Sequence, residues 1–372
     1  MKIAIIHDHL AQDGGAEQVL RTMQAIWPEA PTFTLFFDAE RFPAFKGKDI
    51  RTSFLQRAPL IKSKYQWYVG LMPTATESYD LSDFDVVLSN ASAFSKGVLV
   101  KPGALHICYC HTPTRYLWMS THSYVNELNA PGFVKALLPP LLSYLRIWDR
   151  HAGERPHAFL ANSHTVKERI ETYYHRPSTV LYPPVETSRF SISTEPKNYF
   201  LAGGRLVAYK RFDLIVEACS RLGVPLKIFG TGPLNDRLRA QAGPTVEFLG
   251  YVSDADLPAL YAGAKAFIHP QEEDFGITAV EAMAAGRPVI AYGKGGAVET
   301  VMHGKTGILF DRQEWETLAD ILLSFDETKF DPTLIRSHAQ QFDQAKFQAA
   351  LKKFVEETWG KKVCAPSSTD GI

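Results

Sequence analysis

Short apolar runs alternate with helix-period segments from one end of the 372-residue chain to the other. "KIAIIH" (2–7), "TFTLFF" (32–37), "DVVLS" (85–89), "LHICYC" (105–110) and "HAFLA" (157–161) read as strands. Between the first two, "GAEQVLRTMQAIW" (15–27) places Ala16, Val19, Leu20, Met23 and Ile26 on one helical face. A helix follows 157–161, with Ser163 or Thr165 available as its cap, and Thr165 with Glu168 has the spacing of a capping box. "STVLYPPVETSRFSISTEPKNYF" (178–200) breaks the rhythm with prolines and polar residues, as a linker does. The alternation restarts with "YFLAGG" (199–204), a helix from 211, "LKIFG" (226–230), "VEFLG" (246–250) and "AFIHP" (266–270). A helix from 276, "PVIAY" (288–292), "TGILF" (306–310) and further helices complete the chain, and the tail "APSSTDGI" (365–372) is expected to fray.

Runs that are apolar at every position suit strands buried on both faces, hence parallel sheets. The expected fold class is therefore α/β, with two successive Rossmann-like β/α halves at 1–185 and 186–340. A ligand is expected between the halves, beyond the carboxyl ends of the strands.

Composition narrows the classes. Forty basic residues balance forty acidic ones, so no bulk affinity for nucleic acid is implied. Cys108, Cys110, Cys219 and Cys364 form neither a C-x-x-C pair nor a disulfide framework. They are expected to be inert core thiols, Cys108 and Cys110 sharing one strand face, in a reducing cytoplasmic setting. The N-terminus turns acidic too soon for a signal peptide, and no apolar run is long enough for a transmembrane helix.

Candidate chemistry gathers at strand ends. Gly14 and Gly15 follow the first strand and read either as a plain turn or as a loop bringing helix N–H groups to an anion. The glycine fingerprint of NAD-dependent oxidoreductases is missing there. In "GGRLVAYKR", Arg205 and Lys210 suit a diphosphate; standing alone they would read as a solvated basic loop. In "QEEDFGITAVEA", Phe275, Gly276 and Ile277 open a helix whose free N–H groups are a further anion site. Glu273 precedes that helix, whereas Glu281 lies within it among Ala, Val and Met, where a carboxylate is costly unless something satisfies it. The two cannot share a face as a metal pair and are expected to reach different hydroxyls of one extended ligand, a sugar nucleotide.

Two acidic motifs are decoys. His7 and His9 in "HDH" fall on one strand face, but no further metal ligands can be assigned. "DFD" (83–85) has a metal-binding form yet introduces a strand, so a turn is expected.

"EDFGITAVEA", with "GGRL…K" upstream and "GGAVETV…GKTGILF" downstream, resembles the retaining glycosyltransferases of family 4, which have the GT-B architecture. "CHTPTRYLW" and "LYPPVETSRF" further resemble bacterial mannosyltransferases of O-antigen and exopolysaccharide synthesis. The resemblance implies two Rossmann-like domains facing each other across a cleft, with 341–372 forming a C-terminal helix that returns to the N-terminal domain. It implies that Arg205 and Lys210 hold the donor diphosphate, and that Glu273 with the N–H groups of Gly276 and Ile277 holds the transferred sugar and nearer phosphate. It implies further that Glu281 holds the ribose and His111 lies near the reaction centre. Gly14 and Gly15 would loop over donor and acceptor, and Gly232 in "FGTGPL" would lie near the phosphates. No metal or cofactor is expected. The implied donor is GDP-mannose, ahead of UDP-sugars, and the acceptor a polyprenyl-diphosphate-linked saccharide. A UDP-sugar 2-epimerase and a non-catalytic sugar-nucleotide binder are the rival readings.

The acceptor side is marked by 45–65, where Lys46, Lys48, Arg51, Arg57, Lys62 and Lys64 face a single acidic residue, Asp49, among Phe, Leu and Ile. That mixture suits an anionic membrane surface, and 135–150 is a second apolar and basic stretch of the same kind. Both read equally as surface helices packing their apolar sides inward.

Overall fold

The computed structural model describes residues 1–119, 121, 132–195 and 197–364. The tail expected to fray lies outside the described residues. The chain divides into two compact units, one running from Met1 to Tyr182 and taking up the chain again at Phe347, the other Pro183–Lys346.

The N-terminal unit is built on seven parallel strands: β1 (Ile3–His7), β2 (Thr32–Thr34), β3 (Ile50–Thr52), β4 (Val86–Ala91), β5 (Leu105–Cys110), β6 (Ala158–Ala161) and β7 (Thr179–Val180). Their order is β3-β2-β1-β4-β5-β6-β7. Every residue of β1, β4 and β5 is buried, as the uninterrupted apolar runs predict for strands covered on both faces. Strand order reverses between β1 and β4, whose register sets His7 directly opposite Asn90. In such sheets the crevice beyond that reversal point receives ligands.

Helix Gly15–Ile26 covers the sheet with Val19, Leu20 and Met23, each removed from water and contributing about 1.5–3 kcal/mol. Phe347, Leu351 and Val355 pack into the same core. The buried face of helix Gly15–Ile26 also includes Glu17 and Gln24, which apolar periodicity did not mark. Ser163 caps helix His164–Tyr174 by accepting from Val166 N. Thr165 lies inside that helix, so the Thr165–Glu168 capping box is not formed.

The C-terminal unit holds six parallel strands: β8 (Phe200–Gly203), β9 (Leu226–Phe229), β10 (Val246–Gly250), β11 (Phe267–His269), β12 (Val289–Tyr292) and β13 (Gly307–Phe310). The order β10-β9-β8-β11-β12-β13 reverses between β8 and β11. Both sheets are thus Rossmann-like. The edge strands β3 and β7 were not expected from the sequence; they occupy two or three residues within a basic loop and within the supposed linker.

Cys108, Cys110 and Cys219 are buried core thiols, and burial pushes Cys219 up to about 12. Cys364 is exposed, which corrects the expectation of four core thiols. Asp83 and Asp85 lie in a turn before β4, where Asp85 accepts from Lys2 N at 2.8 Å. The "DFD" motif is therefore a strand-entry turn. Among the described residues no helix is long and apolar enough to cross a membrane.

Candidate active site

In the C-terminal unit, side chains converge at the carboxyl ends of β8 and β11. After β8 the chain passes Gly204 and the exposed Arg205 and makes a short turn, Ala208–Lys210, that buries Lys210. Lys210 Nζ lies 2.6 Å from Glu273 Oε1, and His269, the last residue of β11, has its Nε2 3.7 Å from Glu273 Oε2. Burial outweighs the nearby Glu273 and pushes His269 down to about 4, so the ring is neutral at pH 7.

Glu273 is held by its main chain as well: its carbonyl accepts from Gly296 N at 2.8 Å. A Cβ on Gly296 would meet Phe275 Cα at 2.3 Å, so only glycine lets these segments touch. Gly232 has the same kind of reason, since a Cβ there would come within 2.4 Å of Leu206 O. Its loop is thereby pressed against the loop carrying Arg205.

Gly276 takes φ 91° and opens helix Ile277–Ala284, leaving the first N–H groups of that helix without intrahelical partners. Phe275 just before it is buried. Glu281 lies more than a turn into the helix and accepts from the fully buried Tyr261 hydroxyl at 2.9 Å. Burial raises its carboxyl to about 7, against the opposing pull of Tyr261 and Arg189. The structure therefore joins Lys210, Glu273 and His269 near the helix start, and gives Glu281 a separate polar partner. Tyr261, His269 and Gly296 were not nominated from the sequence. His269 had a usable signal, a histidine closing an apolar run directly before "PQEEDFG".

In the N-terminal unit His7 and His9 of "HDH" line one cavity but take different partners. His7 ends β1 and its Nε2 lies 3.3 Å from Glu17 Oε1. His9 lies beyond the strand, its ring 5.3 Å from Phe36 and 4.9 Å from Tyr65. Between them, Asp8 accepts four backbone N–H groups, from Ser92, Ala93, Phe94 and Ser95, at 2.7–2.8 Å. Burial alone would raise its carboxyl, yet the neighbouring His7 and the backbone donors of Ser95 and Ser92 hold it below the ordinary value. Among the described residues no three His, Cys, Asp or Glu side chains are grouped to hold a metal.

Gly14 caps helix Gly15–Ile26 in extended conformation and supplies no side-chain bond, so this turn does not itself require glycine. His111 directly follows β5, is partly buried, and its Nε2 lies 2.6 Å from Asn90 Oδ1. A cavity of about 120 Å³ opens beside His7 and His9, lined also by Glu17, Tyr65, Phe94 and Tyr116.

The segment after His111 is tied down by Asp149. Its Oδ1 accepts from Lys96 Nζ at 2.6 Å and Thr114 Oγ1 at 2.7 Å. Its Oδ2 accepts from Trp118 Nε1 at 2.7 Å and Tyr174 Oη at 2.9 Å. Thr114 and Trp118 in "CHTPTRYLW" thus anchor the chain that leaves β5.

Two Rossmann-like sheets with polar side chains at their reversal points define a GT-B protein. The description "Glycosyltransferase Family 4" matches residues 14–189 and "Glycosyl transferases group 1" matches 185–343, so the chain belongs to the GT-B glycosyltransferases of group 1. It is 35% identical over 170 residues to a GDP-mannose-dependent alpha-(1-6)-phosphatidylinositol monomannoside mannosyltransferase of Mycobacterium tuberculosis, covering 38% of this chain and 44% of that one. It is 29% identical over 205 residues to the D-rhamnosyltransferase WbpZ of Pseudomonas aeruginosa, covering 51% and 53%. The chain thus spans about half the length of the curated relatives it matches. HepE of Anabaena in complex with UDP-glucose has the same fold, with a TM-score of 0.71 at 19% identity over 96% of this chain and 100% of that one.

Proposed function

We propose that the protein is a retaining glycosyltransferase that moves mannose from GDP-mannose to a polyprenyl-diphosphate-linked saccharide in cell-surface polysaccharide synthesis, working at the inner face of the cell membrane. The observation that carries the reading is the pairing of Lys210 with Glu273 at the reversal point of the C-terminal sheet, beside the helix opened by Gly276. An ammonium, a carboxylate and free helix N–H groups together suit a sugar diphosphate: cationic and N–H groups for the phosphates, the carboxylate for sugar hydroxyls. Glu281, steadied by Tyr261, would accept from the ribose. The named mannosyltransferase relatives support the donor, and the UDP-glucose complex of HepE keeps a UDP-sugar as the alternative.

In this mechanism the C1–O bond to the nucleotide diphosphate breaks with oxocarbenium character at the sugar. The acceptor hydroxyl then attacks from the same face. Lys210, Arg205 and the helix N–H groups stabilise the leaving diphosphate, which takes the acceptor's proton. No protein nucleophile and no metal enter, and rate enhancement comes from positioning and charge stabilisation.

The reading extends to a peripheral membrane contact. Residues 54–71 form short helical turns, closed by the bond from Tyr68 Oη to Pro59 O at 2.9 Å. They bury Leu55 and Ile61 but leave Trp67 70% and Leu60 61% exposed, with Phe54 and Leu71 exposed as well. Leu60 is held outward at φ 53°, a left-handed conformation that costs an L-residue about 1–2 kcal/mol. Arg57, Lys62 and Lys64 are interspersed, so the patch presents apolar and cationic groups together. The second candidate stretch, 135–150, buries Leu142 and Leu145 and exposes Tyr144 and Ile147. It is in part a packing helix.

Calorimetric titration with GDP, UDP, ADP and NADH tests the reading. GDP is expected to bind tightest; UDP preference would discard mannose, and binding of none would overturn the site. Lys210→Ala should weaken diphosphate binding by about 1.5–3 kcal/mol. Glu273→Gln should tighten it, because the carboxylate no longer competes for Lys210, while turnover falls. Equal loss of both would remove Glu273 from the sugar.

A further inference from the structure

Three buried side chains of the N-terminal unit connect the heart of the sheet to His111. His7 and Asn90 face each other across the β1/β4 register, and Glu17 comes down from the helix above. His7, Glu17 and Asn90 are 3%, 2% and 0% exposed. Glu17 Oε1 lies 3.3 Å from His7 Nε2, and His7 Nδ1 lies 3.1 Å from Asn90 Nδ2. Asn90 Nδ2 also donates to the Ala16 carbonyl at 2.8 Å, and Asn90 Oδ1 lies 2.6 Å from His111 Nε2.

One atom in this chain has no freedom. The Ala16 carbonyl can only accept, so the Asn90 atom facing it is the amide nitrogen. The two amide hydrogens are then directed to Ala16 O and His7 Nδ1. That ring nitrogen must offer a lone pair, which places the proton of His7 on Nε2, facing the Glu17 carboxylate. On the other side of Asn90, the carbonyl oxygen can only accept, which places the proton of His111 on Nε2. Burial would raise the Glu17 carboxyl, but the His7 bond outweighs it and holds it below the ordinary value. Burial also pushes His111 down to about 4, which keeps the ring neutral at pH 7.

We propose that Glu17, His7 and Asn90 are positioning residues, a one-directional hydrogen-bond chain that fixes His111 as its Nε2–H tautomer, so that Nδ1 is a ready acceptor for a sugar hydroxyl. The sugar half of this statement rests on the glycosyltransferase reading; the tautomer half does not. Glu17, His7 and Asn90 need not touch substrate. Their work is to remove the alternative in which His111 donates from Nδ1, leaving a sugar hydroxyl facing the wrong partner.

The test is long-range proton–nitrogen correlation NMR on full-length protein labelled with ¹⁵N-histidine, with His111→Gln used for assignment. At pH 7 and without ligand, His111 is expected to show a protonated Nε2 and an unprotonated Nδ1. An Nδ1–H ring, or exchange between both forms in the unaltered protein, overturns the chain. In Asn90→Ala the His111 signals should move toward averaged values, and an unchanged spectrum also overturns it. If Asn90→Ala does not fold, Glu17→Gln supplies the second variant. The amide oxygen introduced there still accepts and Asn90 still donates to His7 Nδ1, so His7 should keep its Nε2–H form, and an Nδ1–H His7 in this variant counts against the chain.

The sugar half is read separately, from steady-state turnover and from GDP calorimetry. Asn90→Ala should lower kcat/KM for the sugar nucleotide about 10–100-fold and leave GDP affinity unchanged. A fixed tautomer with unaltered kcat/KM would discard the sugar contact alone. Absence of any transfer by the unaltered protein would instead count against the glycosyltransferase reading, with the NMR result still standing.

Discussion

Replacing Lys96 by methionine tests whether the buried hub at Asp149 holds the chain that follows His111. Methionine keeps an unbranched stem and removes the ammonium. Both members of the pair are only 2% exposed, and 2.6 Å separates the charged atoms. Removing one partner of such a buried pair costs about 3–5 kcal/mol, chiefly because the other charge stays behind unpaired. Thr114, Trp118 and Tyr174 would still donate to Asp149, and hydrogen bonds to a charged group contribute about 1.5–3 kcal/mol each. The loss is therefore expected at the low end, about 3 kcal/mol. Lys96→Met combined with Asp149→Asn removes the stranded charge yet keeps an acceptor for Trp118 and Tyr174, with the amide nitrogen facing Thr114, whose hydroxyl can turn to accept. It should recover at least about 1 kcal/mol relative to Lys96→Met, giving a coupling well outside additivity.

A two-unit chain has no single unfolding free energy, so the measurement is native-state hydrogen exchange resolved to peptides covering β4, β5 and 114–118. Opening free energies in those peptides should fall together, while peptides of β11 and β12 hold their values. A Lys96→Met protein within 1 kcal/mol of the unaltered one, or strictly additive single changes, would refute the hub as a source of stability.

Two further outcomes are expected. Glu281 titrates near 7 in the folded chain against an ordinary 4.5, so its contribution is full below the ordinary value and is lost as pH rises through about 7. Glu281→Gln removes that loss, and opening free energies from hydrogen exchange in peptides covering Ile277–Ala284 should gain on the unaltered protein between pH 5 and 8, by up to about 3 kcal/mol; a pH-independent difference refutes the buried carboxylate. For the membrane contact, sedimentation with phosphatidylcholine vesicles containing phosphatidylglycerol should carry the protein down and Trp67→Ser with Leu60→Ser should release it. Equal sedimentation of both proteins, or none by either, removes the patch from membrane binding.

Much of the fold was legible because strands covered on both faces must be apolar at every position, as β1, β4 and β5 are. The short edge strands β3 and β7 escaped notice because two or three residues carry no period. In the candidate site, Glu281 stood out because a carboxylate among apolar residues demands a partner, and Lys210 and Glu273 because they follow a strand and precede a helix where an anion suits. Asn90 and Glu17 did not. Asn90 lies in "VVLSNAS", where it looks like a strand end, and Glu17 lies at the start of a helix, where an acid needs no special reason. Only the parallel register that sets His7 against Asn90 reveals what they do together. Asp149 and Lys96 were hidden for the same reason, being 53 residues apart in the chain.

The loop carrying Lys210 meets a neighbouring loop main chain to main chain at Leu206 against Gly232, and the loop carrying Glu273 does so at Phe275 against Gly296. At these two seams the spacing is set by main chain, not by side chains. A library that varies Arg205, Tyr209 or Asp274 while keeping the glycines alters the chemistry lining the site on an unaltered chassis, whereas one that varies the glycines tears the chassis first. On the proposed reading, the side chains lining this site can be exchanged without grafting loops from a relative.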